Sequence, residues 1–304
     1  MEHEMLRVTI DIFSGRPNPT WIVGADQSAP ILREIALHPG IVVDSSHEIG
    51  GLGYRRVILD QLDGRMVQEY GLPRAFAIAD AATDCDTKGI EIAQKLIDGA
   101  ALQGSSVGGP TGGGDAIMTA DTRKFFSCQI GRATRPATMM PAPADELPPE
   151  TMLPSLSSYE TTPFEADPWN DPTHIRCNNC YAYAANRRTD TFAQPGRASG
   201  REPASFTFEE IMEAAVNDGA VDAANGANAT EAPRYLVALF IWPGHDYHWY
   251  RLHSDGSWGH KPGTKPVRTV DNVGTSILDP RVCSRADYSD FCGFLIIPKQ
   301  CRIR

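Results

Sequence analysis

The sequence lacks long hydrophobic runs, and its first residues do not have the pattern that predicts a Sec signal peptide. None of its apolar runs reaches the ~18 uninterrupted residues that a bilayer-spanning helix needs. The chain opens Met-Glu-His-Glu-Met, which is acidic, and leads directly into a strand-like run instead of a basic and then apolar leader. We therefore expect no membrane partner and a cytoplasmic location, with a dedicated secretion route that needs no standard signal left open.

Basic residues are also in short supply. The chain carries 28 Lys and Arg against 38 Asp and Glu, a formal net charge of −10. Such a surface repels the phosphates of nucleic acids and anionic lipids, so nucleic acid is not an expected partner. Seven cysteines in 304 residues do not form the dense, even set of a disulfide-stapled domain. The thiols are therefore candidates for a nucleophile, a metal site or core packing, and no cofactor is expected.

Length and composition predict two domains joined by a tether. Residues 1–125 contain strand-like runs at 6–13, 54–59 and 75–78. Helical segments are predicted at 29–36, with Pro30 in the first turn, and at 90–97. Together they predict a small α/β domain, in which we expect an accessory role. Residues 126–165 are rich in proline, which cannot donate a backbone hydrogen bond, and predict an interdomain linker. Residues 166–304 hold four of the five tryptophans and five of the eight histidines, so any chemistry is expected there.

A cysteine at the start of a predicted helix is the strongest candidate for chemistry. The run that follows Cys180 is rich in alanine and ends in Arg187 and Arg188, which predicts a helix beginning at Cys180. Free backbone amides and the dipole at a helix start favour the thiolate, which is the nucleophilic form of cysteine. The alternative is a buried structural thiol, because free cysteine is among the most buried residue types.

Histidines that could serve such a nucleophile lie in a predicted hairpin. An apolar strand at 235–242 is followed by a strand from His248 and a return strand that contains His260. If the turn between them has two residues, His260 points away from His248. If the turn has three residues, with Gly256 left-handed, the two histidines share one face of the sheet. The sequence leaves both registers open.

A zinc site is the rival interpretation of the same cysteines. Cys177 and Cys180 have a knuckle-like spacing, and Cys283 and Cys292 would complete four thiolates. In that alternative the protein is a non-enzymatic binding protein with a structural four-cysteine zinc site, and the aromatic hairpin is its binding surface.

The Cys-x-x-Cys-aromatic run at 177–181 is similar to the nucleophile motif of papain-like cysteine peptidases, in which the second cysteine attacks. The hairpin resembles that of NlpC-type amidases, in which two histidines at this spacing complete a Cys-His-His triad. The overall pattern also resembles uncharacterised bacterial proteins. The resemblance implies an α+β protein whose C-terminal domain is papain-like, with a helix packed on an antiparallel sheet.

The resemblance also implies roles for individual residues. Cys180 would attack an amide, peptide or related acyl bond, and His248 would act as general base and then acid. His260 would orient His248, with Asp271 or Asn272 as rivals for that role. The usual oxyanion glutamine is missing from this sequence, and its candidate replacements are Asn170, His174 and Asn178. Hydrolysis and acyl transfer use the same residues, so the expected activity is a cysteine hydrolase or acyltransferase acting on a peptide or amide-containing substrate.

Overall fold

The computed structural model describes residues 5–46, 50–81, 87–100, 106–107, 116–117, 119–132, 159–223 and 234–304. The chain forms two compact units. The first comprises Met1–Ile12, Asn18–Ile49 and Tyr54–Thr138, and the second comprises Phe13–Pro17, Gly50–Gly53 and Met139–Arg304. Both mix helices with an antiparallel sheet, so the expected α+β class is confirmed. Most of the predicted linker, residues 133–158, lies outside the described residues, so the predicted domain boundaries stay a prediction.

The first unit is built on a sheet with strand order β2-β1-β4-β5-β3. In β1, Leu6, Val8 and Ile10 are fully buried, as the alternating pattern of that segment predicts. The strands predicted at 6–13, 54–59 and 75–78 are confirmed as β1, β4 and β5. The strands are β1 (Leu6–Asp11), β2 (Thr20–Val23), β3 (Val43–Asp44), β4 (Arg56–Gln61) and β5 (Ala75–Ile78), with a further pair β6 (Ser106–Val107) and β7 (Ala116–Ile117).

Among the described residues, four α-helices accompany this sheet, and the first begins earlier than the sequence predicts. It begins at Ala25, whereas the sequence predicted a start at residue 29 with Pro30 in its first turn. Pro30 instead lies inside the helix, on its exposed side. Water can there satisfy the carbonyl that the missing N–H leaves without a partner. The helices are α1 (Ala25–Ala36), α2 (Gly64–Tyr70), α3 (Thr87–Ala100) and α4 (Ala120–Arg132).

The second unit is built on a sheet with strand order β11-β10-β9-β12-β8, in which every pair is antiparallel. The central strand β9 is buried along almost its whole length. Its neighbour β12 was not singled out in the sequence, although it supplies the longest pairing with β9. The strands are β8 (Val221–Asp222), β9 (Arg234–Trp242), β10 (Asp246–Leu252), β11 (Trp258–His260) and β12 (Asp290–Pro298).

The hairpin of β10 and β11 has the three-residue register. Tyr250 pairs with His260, and the backbone N–H of His253 donates to the carbonyl of Ser257. The third residue of the turn, Gly256, has φ +82°, which is the left-handed conformation that glycine adopts without strain. His248 and His260 therefore lie on the same face of the sheet.

The helices that the structure describes beside this sheet are α5 (Asp167–Asn170), α6 (Cys180–Ala184) and α7 (Phe208–Asp218). Helix α6 is shorter than the sequence predicted. It ends because Asn186 turns left-handed at φ +50°, and the N–H of Arg187 then bonds back to the carbonyl of Ala182. None of the helices in the described parts of the chain is long and apolar enough to cross a membrane.

Candidate functional site

Cys180 is the first residue of α6, as predicted, but its sulfur is buried. The Asn179 side chain caps the helix by accepting a hydrogen bond from the N–H of Ala182 at 3.2 Å. The Cys180 Sγ lies 4.0 Å from the carbonyl oxygen of Tyr247, and the residue is fully inaccessible to solvent. Burial raises the pKa of the Cys180 thiol well above its ordinary value, and the nearby Asp246 raises it further. The side chain is therefore a neutral thiol, and a helix of five residues offers little dipole to oppose this.

The sheet separates Cys180 from the candidate base. Tyr247 and Trp249 of β10 face α6, where the Trp249 ring lies 5.5 Å from that of Tyr181. His248 lies between them in the strand and so points to the opposite face. There its ring packs 5.7 Å from that of Tyr288. The structure thus brings His248 and His260 together and leaves Cys180 on the other side of the sheet.

The two histidines form a buried, hydrogen-bonded pair. Desolvation lowers the pKa of His260 to about 3, so the ring is neutral near pH 7. Its Nε2 lies 3.1 Å from the carbonyl of Val270 and must be the donor nitrogen, which leaves Nδ1 as an acceptor. The Nε2–H of His248 donates to that Nδ1 at 2.8 Å. The pair therefore connects the hairpin of β10 and β11 to the loop that contains Val270.

Asp271 and Asn272, the alternative residues for orienting His248, also bind backbone groups. The carboxylate of Asp271 accepts hydrogen bonds from the amides of Val273, Thr275 and Ser284 at 2.9–3.0 Å, which shapes its own loop. The side chain of Asn272 bonds to both backbone groups of Leu52.

The three candidate oxyanion residues serve loops in the same way. The amide oxygen of Asn170 accepts from the N–H of Val267 at 2.8 Å, and that of Asn178 accepts from the N–H of Thr189 at 3.0 Å. His174 pairs with Asp190 at 2.9 Å. None of these side-chain contacts involves the Cys180 sulfur.

The structure does not assemble the alternative zinc site. Within the described residues, no group of three or more His, Cys, Asp or Glu side chains is placed to hold a metal ion. The Cys283 sulfur contacts the Tyr250 hydroxyl, on the sheet face opposite Cys180, and the Cys292 sulfur contacts the carbonyl of Asp290. The aromatic hairpin is not a surface either, because Tyr247, Trp249, Tyr250 and Trp258 are at most 1% exposed.

A site that the sequence did not predict surrounds the carbonyl oxygen of Gly15. This oxygen lies 2.6 Å from Asn179 Nδ2, 2.9 Å from Gln194 Nε2 and 3.0 Å from the Tyr247 hydroxyl. The three donors come from the Cys-Asn-Asn-Cys run at 177–180, from the loop at 194–196, called here the Gln-Pro-Gly loop, and from β10. Three separate stretches of the chain therefore converge on one atom. In the sequence, Gly15 belongs to a segment that shows only turn chemistry.

The amides of the same segment meet a buried carboxylate. Asp246 accepts hydrogen bonds from the N–H groups of Ser14 at 2.7 Å, Gly15 at 3.2 Å and Arg16 at 3.1 Å, and from the Tyr288 hydroxyl at 2.6 Å. Desolvation raises the pKa of Asp246, while these donors and the Arg16 guanidinium act against the rise. No local sequence signal could have revealed this contact, because about 230 residues separate the partners.

A second buried carboxylate organises the Gln-Pro-Gly loop. Asp218, at the end of α7, accepts hydrogen bonds from the N–H groups of Gly196 at 2.7 Å and Ser199 at 3.0 Å. The Tyr181 hydroxyl adds a third donor at 3.2 Å. The loop therefore has a fixed shape, and this holds the Gln194 amide against the carbonyl of Gly15.

Comparison with known proteins identifies an informative relative. No protein-family model matches the chain, and no solved structure matches it. A protein named insoluble matrix shell protein 1, from Ruditapes philippinarum, is 44% identical over 144 residues, which are 47% of this chain and 95% of the relative.

This relative corrects three expectations. The predicted function as a cysteine hydrolase or acyltransferase is wrong, because the relative is a shell matrix protein. The expected bacterial and peptidase-like character is wrong for the same reason, since the relative is a shell matrix protein of a mollusc. The resemblance of the Cys180 motif and the hairpin to papain-like and NlpC-type enzymes is not tested by this relative and stays a prediction. The expected cytoplasmic location is also wrong, since a shell matrix lies outside cells. The identity across nearly the full length of the relative shows that this chain belongs to the family of insoluble matrix shell protein 1.

Proposed function

We propose that this chain is a non-enzymatic structural protein that becomes part of an insoluble matrix outside the cell. The observation that carries the proposal is the 44% identity to insoluble matrix shell protein 1 over 95% of that protein. Identity at this level over 144 residues implies the same fold for the matched part of the chain. A role in a matrix is therefore the simplest function that the two proteins share.

The polar interior of the second unit supports a structural role. Lys261 shows the pattern: its ammonium donates to the carbonyls of Ile175, Gly263 and Lys265 at 2.7–2.9 Å, while the side chain is fully buried. Like Asp218 and Asp246, it binds loop backbone and does not face a solvent-filled cleft. Such contacts hold irregular segments in one shape, which suits a durable structural domain.

A papain-like arrangement of the second unit stays part of the proposal at the level of fold alone. Its support is a short helix that begins at Cys180 and packs against an antiparallel sheet. The cysteine chemistry of papain-like enzymes is not part of the proposal.

Fractionation of the organism that makes the protein tests the proposed function. An antibody raised against the full chain is applied to cytosol, to buffer-soluble extracellular material and to the residue that remains insoluble. We expect the chain in the insoluble extracellular residue, with a cytosolic enzyme as the marker for contamination. Recovery of the chain with the cytosolic marker would refute the proposal.

An activity comparison provides a second test. The purified wild-type chain and a Cys180→Ala variant are incubated with a mixed peptide library, and the products are read by mass spectrometry. We expect no cleavage or acyl transfer that distinguishes the two proteins. Turnover that depends on Cys180 would contradict a non-enzymatic role.

A further inference from the structure

The segment Phe13–Pro17 is held in the second unit as a bound peptide would be. It is five residues long, and the chain on both sides of it belongs to the first unit. Asp246 contacts three successive backbone amides of the segment, and three side chains donate to the one carbonyl between them. Contacts to main-chain groups of a short extended or turned segment are the usual means by which proteins bind peptides.

Glycine is required at the centre of this segment. A Cβ added to Gly15 would lie 2.5 Å from the Tyr247 ring and 2.5 Å from its carbonyl oxygen, which is far inside contact distance. Gly263 also lies close to the segment, because a Cβ added to it would lie 2.8 Å from the carbonyl oxygen of Phe13. The cleft therefore selects a residue without a side chain at this position.

The residue after the glycine is selected by aromatic rings. The Arg16 guanidinium carbon lies 3.9 Å from the centre of the Phe13 ring and 4.7 Å from that of Phe206. A cation between two ring faces is attracted by their quadrupoles, and arginine is the side chain that suits this arrangement best. Arg16 Nε and the Ser14 hydroxyl are buried with no hydrogen-bond partner in the described parts of the chain.

We propose that the second unit contains a binding site for a Ser-Gly-Arg peptide turn, and that this chain fills the site with its own residues 14–16. The ligand class is a peptide that has glycine where it lies closest to Tyr247 and arginine at the next position. In this chain residues 14–16 occupy the site, and the same segment of another polypeptide would fit it. The Cys-Asn-Asn-Cys run at 177–180 and the loop at 191–200 then have a common purpose, since each contributes a donor to the bound carbonyl.

The experiment measures binding of a fluorescein-labelled peptide of residues 13–19 to the full chain by fluorescence anisotropy. In the wild type the tethered segment competes at an effective concentration on the order of millimolar, so the free peptide should bind poorly. Gly15→Ala prevents the tethered segment from seating while leaving Asp246, Asn179, Gln194 and Tyr247 in place. We expect this variant to bind the peptide at least roughly tenfold more tightly than the wild type does, and the peptide to raise its Tm.

Two control peptides test the specificity. Peptides that carry the Gly15→Ala change or the Arg16→Ala change should bind the variant at least roughly tenfold more weakly than the native peptide. If Gly15→Ala does not fold, an Arg16→Ala chain serves in the same assay, because loss of the cation between the Phe13 and Phe206 rings weakens the tethered segment and lets the native peptide displace it. A folded variant that ignores the peptide at millimolar concentration, or that binds all three peptides equally, would overturn the proposal. Neither result would alter the fractionation test of the matrix role.

Discussion

Acidification should destabilise the second unit through His260. The ordinary pKa of histidine is 6.5, and burial lowers that of His260 to about 3 in the folded chain. Between these values the unfolded chain binds a proton and the folded chain does not, so stability falls as pH falls from about 6.5 towards 3. Between pH 7 and pH 5, the unfolded state takes up its proton only below the ordinary pKa, so about one and a half pH units contribute to the loss of stability. At about 1.4 kcal/mol per unit, this single group should cost about 2 kcal/mol of unfolding free energy.

The assay is urea unfolding at pH 7 and pH 5, followed by the fluorescence of the buried tryptophans. His260→Gln keeps a donor near the Val270 carbonyl and removes the titration, so the variant should lose about 2 kcal/mol less than the wild type between the two pH values. The absolute stability of the variant does not matter, because each protein is compared with itself. His38→Gln, at an exposed ring, is the matched control and should behave as the wild type does.

An equal loss in wild type and His260→Gln would refute the reasoning. It would mean that His260 is already the cation in the folded chain, donating from both nitrogens to His248 and to the Val270 carbonyl. The tautomer assignment of the buried pair would then be reversed.

Three further predictions concern the buried polar groups. A thiol-alkylating reagent at pH 7 should label the exposed Cys128 and spare Cys180 until the chain unfolds, as read by peptide mass spectrometry, and early labelling of Cys180 would show an accessible thiolate. Asp218→Ala should lower the unfolding free energy by about 3 kcal/mol, because it leaves two backbone amides and a tyrosine hydroxyl buried without an acceptor. A loss below about 1 kcal/mol in a urea titration would contradict this. Lys261→Met should lower the unfolding free energy by about 2–4 kcal/mol in the same urea titration, since three buried carbonyls lose their donor. A stabilised variant would show that the desolvation cost of the buried cation exceeds the free energy of its hydrogen bonds.

The regular elements were largely predictable from local pattern. Alternation predicts β1, and an uninterrupted apolar run predicts β9. These features depend on interactions within a few residues, which composition and spacing encode directly. The hairpin could be reduced to two registers, and the left-handed Gly256 of the structure identifies the correct one.

The candidate site could not be predicted in the same way. Cys180 was correctly placed at a helix start, yet its sulfur and the His248 ring lie on opposite faces of one sheet. The face to which a residue points depends on strand register and on which layer covers the sheet. Neither is visible in the spacing of a cysteine and a histidine 68 positions apart.

By itself the sequence determined the α+β class, the main strands and the helix that begins at Cys180, because these depend on local periodicity and capping. The tertiary structure alone decided that Cys180 is a buried thiol and that His248 and His260 form a pair on the other side of the sheet. It also decided that Gly15 is surrounded by donors from three distant stretches. Such contacts arise only when the chain folds back on itself, since buried charges and carbonyls take whichever distant partners the packing supplies.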